Sequence, residues 1–166
     1  GDRRLADWFD EIARYAFVRR IRIHTREPVF SPERITPELA ALLAGAPRPV
    51  IVAVHVNHAD ELDDETAVAL ARLREAGVLL LTQTVLLRGV NDSFERLAAL
   101  YERAVDCGVL PYYLHQLDRV AGAAHFEVEP ERGRALIRQL QRSLPGYLVP
   151  RYVEEVPGEP GKSPLA

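Results

Sequence analysis

Leu5, Trp8, Phe9, Ile12, Ala13 and Ala16 recur at the three- and four-residue steps that gather on one helical face, so the spacing predicts a helix over 5–17. Residues 19–24 alternate instead, with Ile21 and Ile23 on one side, as in a strand. Thr36-Pro37-Glu38 predicts a helix start, with Thr36 as N-cap and Pro37 at the first helical position, and Gly45 marks its end. Residues 50–56 form a nearly unbroken β-branched run, the pattern of a strand buried on both faces. Asp63 or Asp64 caps the next helix, which runs to Ala76 and stops at Gly77. Residues 78–82 are again strand. Asn91-Asp92-Ser93 offers a further cap, with a helix to Cys107 closed by Gly108. A strand over 110–114 follows, where Pro111 marks its start or an edge position. Pro130 opens a last helix that ends before Pro145-Gly146.

Strand and helix alternate with a repeat of about 30 residues, the size of one βα unit joined by right-handed crossovers. The fold class is therefore α/β with parallel strands. Four or five units are too few for a closed eight-fold barrel, so the expectation is a partial barrel over 1–144 and an extended C-terminal tail over 145–166. Polar residues then collect at the C-terminal strand ends, where such proteins build their sites: Arg22, His24 and Arg26; His55, Asn57 and His58; Gln83; His115, Gln116 and Asp118.

Composition narrows the classes. Net charge is −3 with both signs interspersed, which leaves no basic stripe for nucleic acid and no polybasic membrane patch. No apolar run approaches the roughly 20 residues that span a bilayer, and no signal-peptide pattern opens the chain, so a cytoplasmic protein is expected. Cys107 is the only cysteine, and its place beside Gly108 at a helix end suits a buried thiol. His55-x-x-His58 with His115 raises a zinc site, but a catalytic zinc needs three convergent ligands and no HExxH helix is present, so no metal is assigned. The loop 85–92 admits two readings. Gly89 turns the chain and Asn91 or Asp92 caps a helix, or Arg88 and the helix N-terminus face an anion.

Of the 21 basic residues, 20 are arginines and one is Lys162, set in a Pro/Gly-rich tail. Arginine replaces lysine on a solvated surface but not where a neutral amine attacks a carbonyl carbon. Asp118, Glu155 and Lys162 could thus form one constellation: two carboxylates for an ammonium, and an amine for an aldehyde cofactor.

Longer motifs carry a resemblance. Arg22-Ile23-His24-Thr25-Arg26, His55-Val56-Asn57-His58, the run 83–92, Pro111-Tyr112-Tyr113-Leu114-His115-Gln116-Leu117-Asp118, Gly122-Ala123-Ala124-His125-Phe126 and the tail 146–165 together resemble lysine 2,3-aminomutases, in order and almost end to end. The 112–118 and 122–126 segments and the tail look most like the branch that makes β-lysine for elongation factor P. The resemblance implies the C-terminal part of a radical S-adenosylmethionine-type (βα) barrel that turns L-lysine into β-lysine. Lys162 would carry pyridoxal phosphate as the catalytic residue, Asp118 and Glu155 would grip the side-chain ammonium of lysine, and His55 and Gln83 would touch S-adenosylmethionine. Arg22 and Arg26 would line the same end of the barrel. Where this sequence has Glu155, free-lysine enzymes have aspartate.

The same family binds a [4Fe-4S] cluster through a CxxxCxxC motif that this sequence does not contain. The expectation is that the cluster ligands and the groups holding the substrate carboxylate lie outside the chain, which alone would be inactive. An alternative is a half-barrel that only binds pyridoxal phosphate or a partner, and a metal-dependent barrel hydrolase is a remoter one. An open sheet edge also predicts self-association as a homo-oligomer, with the enzymes of the elongation factor P pathway acting downstream.

Overall fold

The computed structural model describes residues 1–118, 120–159 and 161–166. Helices α1 (Asp2–Ala13), α2 (Glu27–Phe30), α3 (Pro37–Ala44), α4 (Asp64–Glu75), α5 (Phe94–Asp106) and α6 (Pro130–Ser143) alternate with strands β1 (Ile21–Thr25), β2 (Val50–His55), β3 (Leu79–Val85), β4 (Leu110–His115), β5 (Arg151–Glu155) and β6 (Lys162–Pro164). The sheet order is β1-β2-β3-β4-β5-β6. β1 to β5 run parallel, and β6 folds back antiparallel on β5. The chain is an α/β half-barrel, as the alternation predicts. Residues of the tail 145–166 supply β5 and β6 to that same sheet.

Alternation along each strand sorts the two faces. Val50, Val52, Val54, Leu80, Thr82, Thr84, Leu114 and Tyr152 turn outward to the helices and are buried with Leu70, Leu97, Leu100, Tyr101, Leu136, Ile137 and Leu140. The other parity faces the concave side. Caps set the helix starts, with Thr36 Oγ1 accepting from the Leu39 N–H at 3.2 Å and Asp63 Oδ1 from that of Thr66 at 2.8 Å. Gly77 and Gly108 end α4 and α5 with φ of +79°, where a side chain would be strained. Gly45 differs: its φ of −82° needs no glycine.

Two local expectations are corrected. The first helix stops at Ala13 rather than Phe17, because Arg48 takes the carbonyls of Val18 (2.6 Å) and Tyr15 (3.3 Å) and draws the chain out of helical geometry. β3 runs three residues beyond Thr82, since Thr82 and Thr84 are fully buried against the helices and Thr82 Oγ1 accepts from the Tyr112 N–H at 3.2 Å. Pro111 marks the start of β4, as expected: it is the second residue, and β5 pairs with the strand only from Tyr113 onward. Leu81 pairs with Leu110 but Gln83 with Tyr113, so β4 carries one extra residue there, and a bulge is where a strand tolerates a missing N–H. The bulge sets the Tyr112 and Tyr113 rings side by side, their centroids 3.9 Å apart.

Candidate functional site

The register brings one polar row to the C-terminal ends of the strands. His55 pairs with Gln83, Gln83 with Tyr113, His115 with Val153, and Glu155 with Lys162. Towards the other end, the concave face is apolar at Ile51, Ala53, Leu79, Leu81 and Leu110, flanked by Arg22 and Arg151.

Within the row, the His24 Nδ1–H donates to Gln83 Oε1 at 2.9 Å, and the His24 ring stands edge-on to His55 at 6.1 Å. Tyr113 and His115 meet edge-on at 5.7 Å. His115 Nδ1 lies 3.8 Å from Glu155 Oε1. The Lys162 ammonium donates to that same Glu155 oxygen and sits 5.5 Å from the centre of the Tyr113 ring. Asp118 and Glu155 line one open cavity of about 600 Å³ with Gln116, Glu154, Glu127 and Val156.

Electrostatics follow from burial. His115 is only 6% exposed, and desolvation, with help from the Lys162 charge, drives its pKa down to about 4 against a smaller opposing pull from Glu155. Burial, followed by the nearby His24, also lowers His55. Glu155 is lowered chiefly by its hydrogen bond to Lys162. Both histidines are thus neutral near pH 7, and the Nε2 atom of each is buried without a hydrogen-bond partner. Such atoms are what a bound polar group would satisfy.

The sign of the His115 effect yields a test. A folded-state pKa below the unfolded value near 6.5 means that the unfolded chain binds more protons between these two limits. Stability from this group is therefore whole above pH 6.5 and lost progressively as pH falls to about 4, by about 2 kcal/mol at pH 5 and about 3 kcal/mol at pH 4. Urea unfolding between pH 7 and 5 should show this loss. His115→Gln should flatten it, and an unchanged pH slope in that variant would refute the assignment.

Several candidates from the strand ends are held by scaffold contacts, Gln116 while also lining the cavity beside Asp118. Gln116 is buried, its Nε2–H donating to the Val128 carbonyl at 2.8 Å while its Oε1 accepts from the Tyr152 hydroxyl. Asn57 accepts from the Val85 N–H at 2.9 Å, holding two loops together. Arg26 pairs with Glu61 at 2.6 Å. His58 Nδ1 accepts from the Asp60 N–H in a tight turn. Among the described residues no group of three His, Cys, Asp or Glu is arranged to hold a metal. In the loop 85–92 Gly89 turns the chain at a φ of +76°, but Ser93 rather than Asn91 or Asp92 caps α5: Asp92 Oδ1 accepts from the Gly89 N–H, and Asn91 is a fully buried clasp. Sequence reasoning singled out neither Tyr113 nor the pairing of His24 with Gln83. Parity would have found the first, since Tyr113 stands two residues before His115 on one face.

No family model matches the chain. It is similar to the L-lysine 2,3-aminomutase of Escherichia coli (strain K12), 44% identical over 160 residues that cover 96% of this chain and 47% of that protein. It is similar to the one from Haemophilus influenzae at 41% over 162 residues, covering 98% and 48%. The Clostridium subterminale L-lysine 2,3-aminomutase matches at 41% over 145 residues, 87% of this chain and 35% of that protein. The chain belongs to the lysine 2,3-aminomutase family. It spans about half the length of the first two relatives.

Membership of the lysine 2,3-aminomutases implies cofactors, and the residues present can be tested against them. For pyridoxal phosphate, the one lysine of the sequence stands on the concave face beside an aromatic ring and a carboxylate, a fitting anchor. For S-adenosylmethionine, His55 presents a buried unpartnered nitrogen in register with Gln83. An iron–sulfur cluster does not fit: Cys107 is buried at the end of α5, and desolvation raises its pKa, so the thiol stays protonated. No helix is long and apolar enough to cross a membrane among the described residues.

Proposed function

We propose that the parent protein is an L-lysine 2,3-aminomutase that converts L-lysine to β-lysine for elongation factor P. The observation that carries this is the one lysine of the chain, Lys162, held on the concave face against Glu155, in a sequence otherwise stripped of lysine. Lys162 is the residue that anchors pyridoxal phosphate. Asp118 and Glu155, walls of one cavity, receive the side-chain ammonium of the substrate. His55 and Gln83 meet S-adenosylmethionine. When bound, the two cofactors supply a carbonyl that captures an amine and a radical that starts the migration.

What these residues contribute is position and charge control. Substrate and S-adenosylmethionine both bring positive charge, and a protonated imidazole beside them would repel both. Burial keeps His55 and His115 neutral and removes that repulsion. Glu155, held ionised by its hydrogen bond to Lys162, supplies the balancing negative charge. Beneath the row the concave face is apolar from Ile51 to Leu110, and Leu79 and Leu110 stand half-exposed there. For the 166-residue chain taken alone, which holds one cysteine and no CxxxCxxC motif, the second reading is a half-barrel that holds pyridoxal phosphate or a partner without turnover. We place the parent in the cytoplasm as a homo-oligomer, upstream of the elongation factor P pathway enzymes.

The test is chemical. Adding pyridoxal phosphate, recording the absorption spectrum, reducing with borohydride and mapping the modified peptide should place the label on Lys162. Lys162→Arg should abolish that labelling with unfolding stability changed by less than about 1 kcal/mol, because arginine keeps the charge beside the partly solvated Glu155. Label only on the Gly1 amine would defeat the assignment of Lys162.

A further inference from the structure

Glu155 stands between two spaces. It is a wall of the cavity shared with Asp118, and also of a smaller cleft of about 290 Å³ lined by Lys162, Gly161 and Glu159. Its Oε1 accepts the Lys162 ammonium and is also the oxygen nearest His115 Nδ1, at 3.8 Å. Backbone geometry builds this contact in. Glu155 and Lys162 are direct partners in the antiparallel β5–β6 pair. The strand is pinned beyond them, where the Leu165 N–H donates to the Tyr152 carbonyl at 2.8 Å and the Arg134 Nε–H to the Leu165 carbonyl at 3.0 Å. Neutral His115 does not compete for the carboxylate.

A lysine ammonium and the end of a diamine or basic amino-acid substrate are the same group, three donors on a flexible stem. We infer that Lys162 is a placeholder: in the unloaded chain its ammonium occupies the carboxylate that later receives the ammonium of the substrate. The inference rests on the reading of Glu155 as a substrate contact. Whatever draws the Lys162 nitrogen off Glu155, an aldehyde cofactor above all, opens the subsite, so cofactor loading precedes tight substrate binding. The pair is partly solvated, with 20% of the Lys162 side chain and 54% of the Glu155 side chain exposed. An exchange of this kind competes by only about two- to fivefold, the range of exposed ion pairs.

A single lysine makes the test direct. Lysine carrying carbon-13 at Cε, incorporated into the 166-residue chain, gives one side-chain resonance. Pentane-1,5-diamine should shift that resonance saturably toward its position in Glu155→Gln, and should leave it unmoved in Glu155→Gln itself. Kd values from ligand-observed NMR should show Lys162→Met binding the diamine about two- to fivefold tighter than the unmodified chain. Thermal melts establish that both variants fold, and the resonance shift in the unmodified chain needs no variant at all. Equal or weaker diamine binding by Lys162→Met, an unmoved lysine resonance, or no saturable binding would each overturn the inference. Pyridoxal phosphate labelling of Lys162 is read separately. Labelling at Lys162 with no diamine effect defeats the placeholder alone, and the converse result defeats the cofactor assignment alone.

Discussion

Gly133→Ala destabilises the protein by about 2–3 kcal/mol, although alanine is intrinsically the better helix former. Gly133 lies in α6, on the side that crosses β5, and a Cβ there would fall within the Tyr152 ring at its Cζ and hydroxyl. Tyr152 cannot retreat: it is fully buried, and its hydroxyl donates to the buried Gln116 Oε1. The gain in helix propensity is about 1 kcal/mol, and overpacking against a rigid ring outweighs it. Urea unfolding should show the loss, and adding Tyr152→Leu should recover part of it by removing the struck atoms. Because α6 supports β5, the same change should weaken pyridoxal phosphate labelling at Lys162. A Gly133→Ala chain as stable as the unmodified one would mean that α6 does not seat on Tyr152 as described.

Asn91→Ala should cost about 3 kcal/mol. The Asn91 side chain is fully buried and serves three backbone groups: its Oδ1 accepts from the Leu87 N–H at 2.8 Å, and its Nδ2 donates to the carbonyls of Asn57 at 2.9 Å and Val85 at 2.8 Å. Alanine leaves all three without a partner in a place water does not reach, at about 1–3 kcal/mol each before relaxation. The clasp joins the loops that follow β2 and β3, the strands ending in His55 and carrying Gln83. Loss of Leu87 amide protection in hydrogen exchange should accompany the lower urea midpoint. Asn91→Asp keeps one acceptor and loses both donors, so it should be no better. A stability change below about 0.5 kcal/mol, the range of ordinary surface substitutions, would show that the clasp is dispensable.

Much of the architecture was legible because its signals are local. Thr36-Pro37, Asp63 and the glycines 77 and 108 act within one turn of chain, through a cap hydrogen bond or a left-handed φ, and the structure uses each as expected. The β-branched run at 50–55 and the repeat of strand and helix likewise predict parallel strands. Misjudged elements were those decided by a distant partner. Arg48 ends the first helix from 30 residues away, and Thr82 and Thr84 are strand because helices cover them.

The candidate site divides in the same way. By itself the sequence named the residues whose types suit the chemistry: histidines, Gln83 and Asp118 at or after predicted strand ends, and Glu155 and Lys162 in a tail where no strand was predicted. Residue type and spacing are properties of the chain read locally, so they survive without coordinates. Only the tertiary structure decided that Glu155 faces Lys162, that Gln116 and Asn57 serve the scaffold, and that His115 is buried deeply enough to stay neutral near pH 7. Pairing register, burial and desolvation depend on which distant segments meet, and no local pattern encodes that.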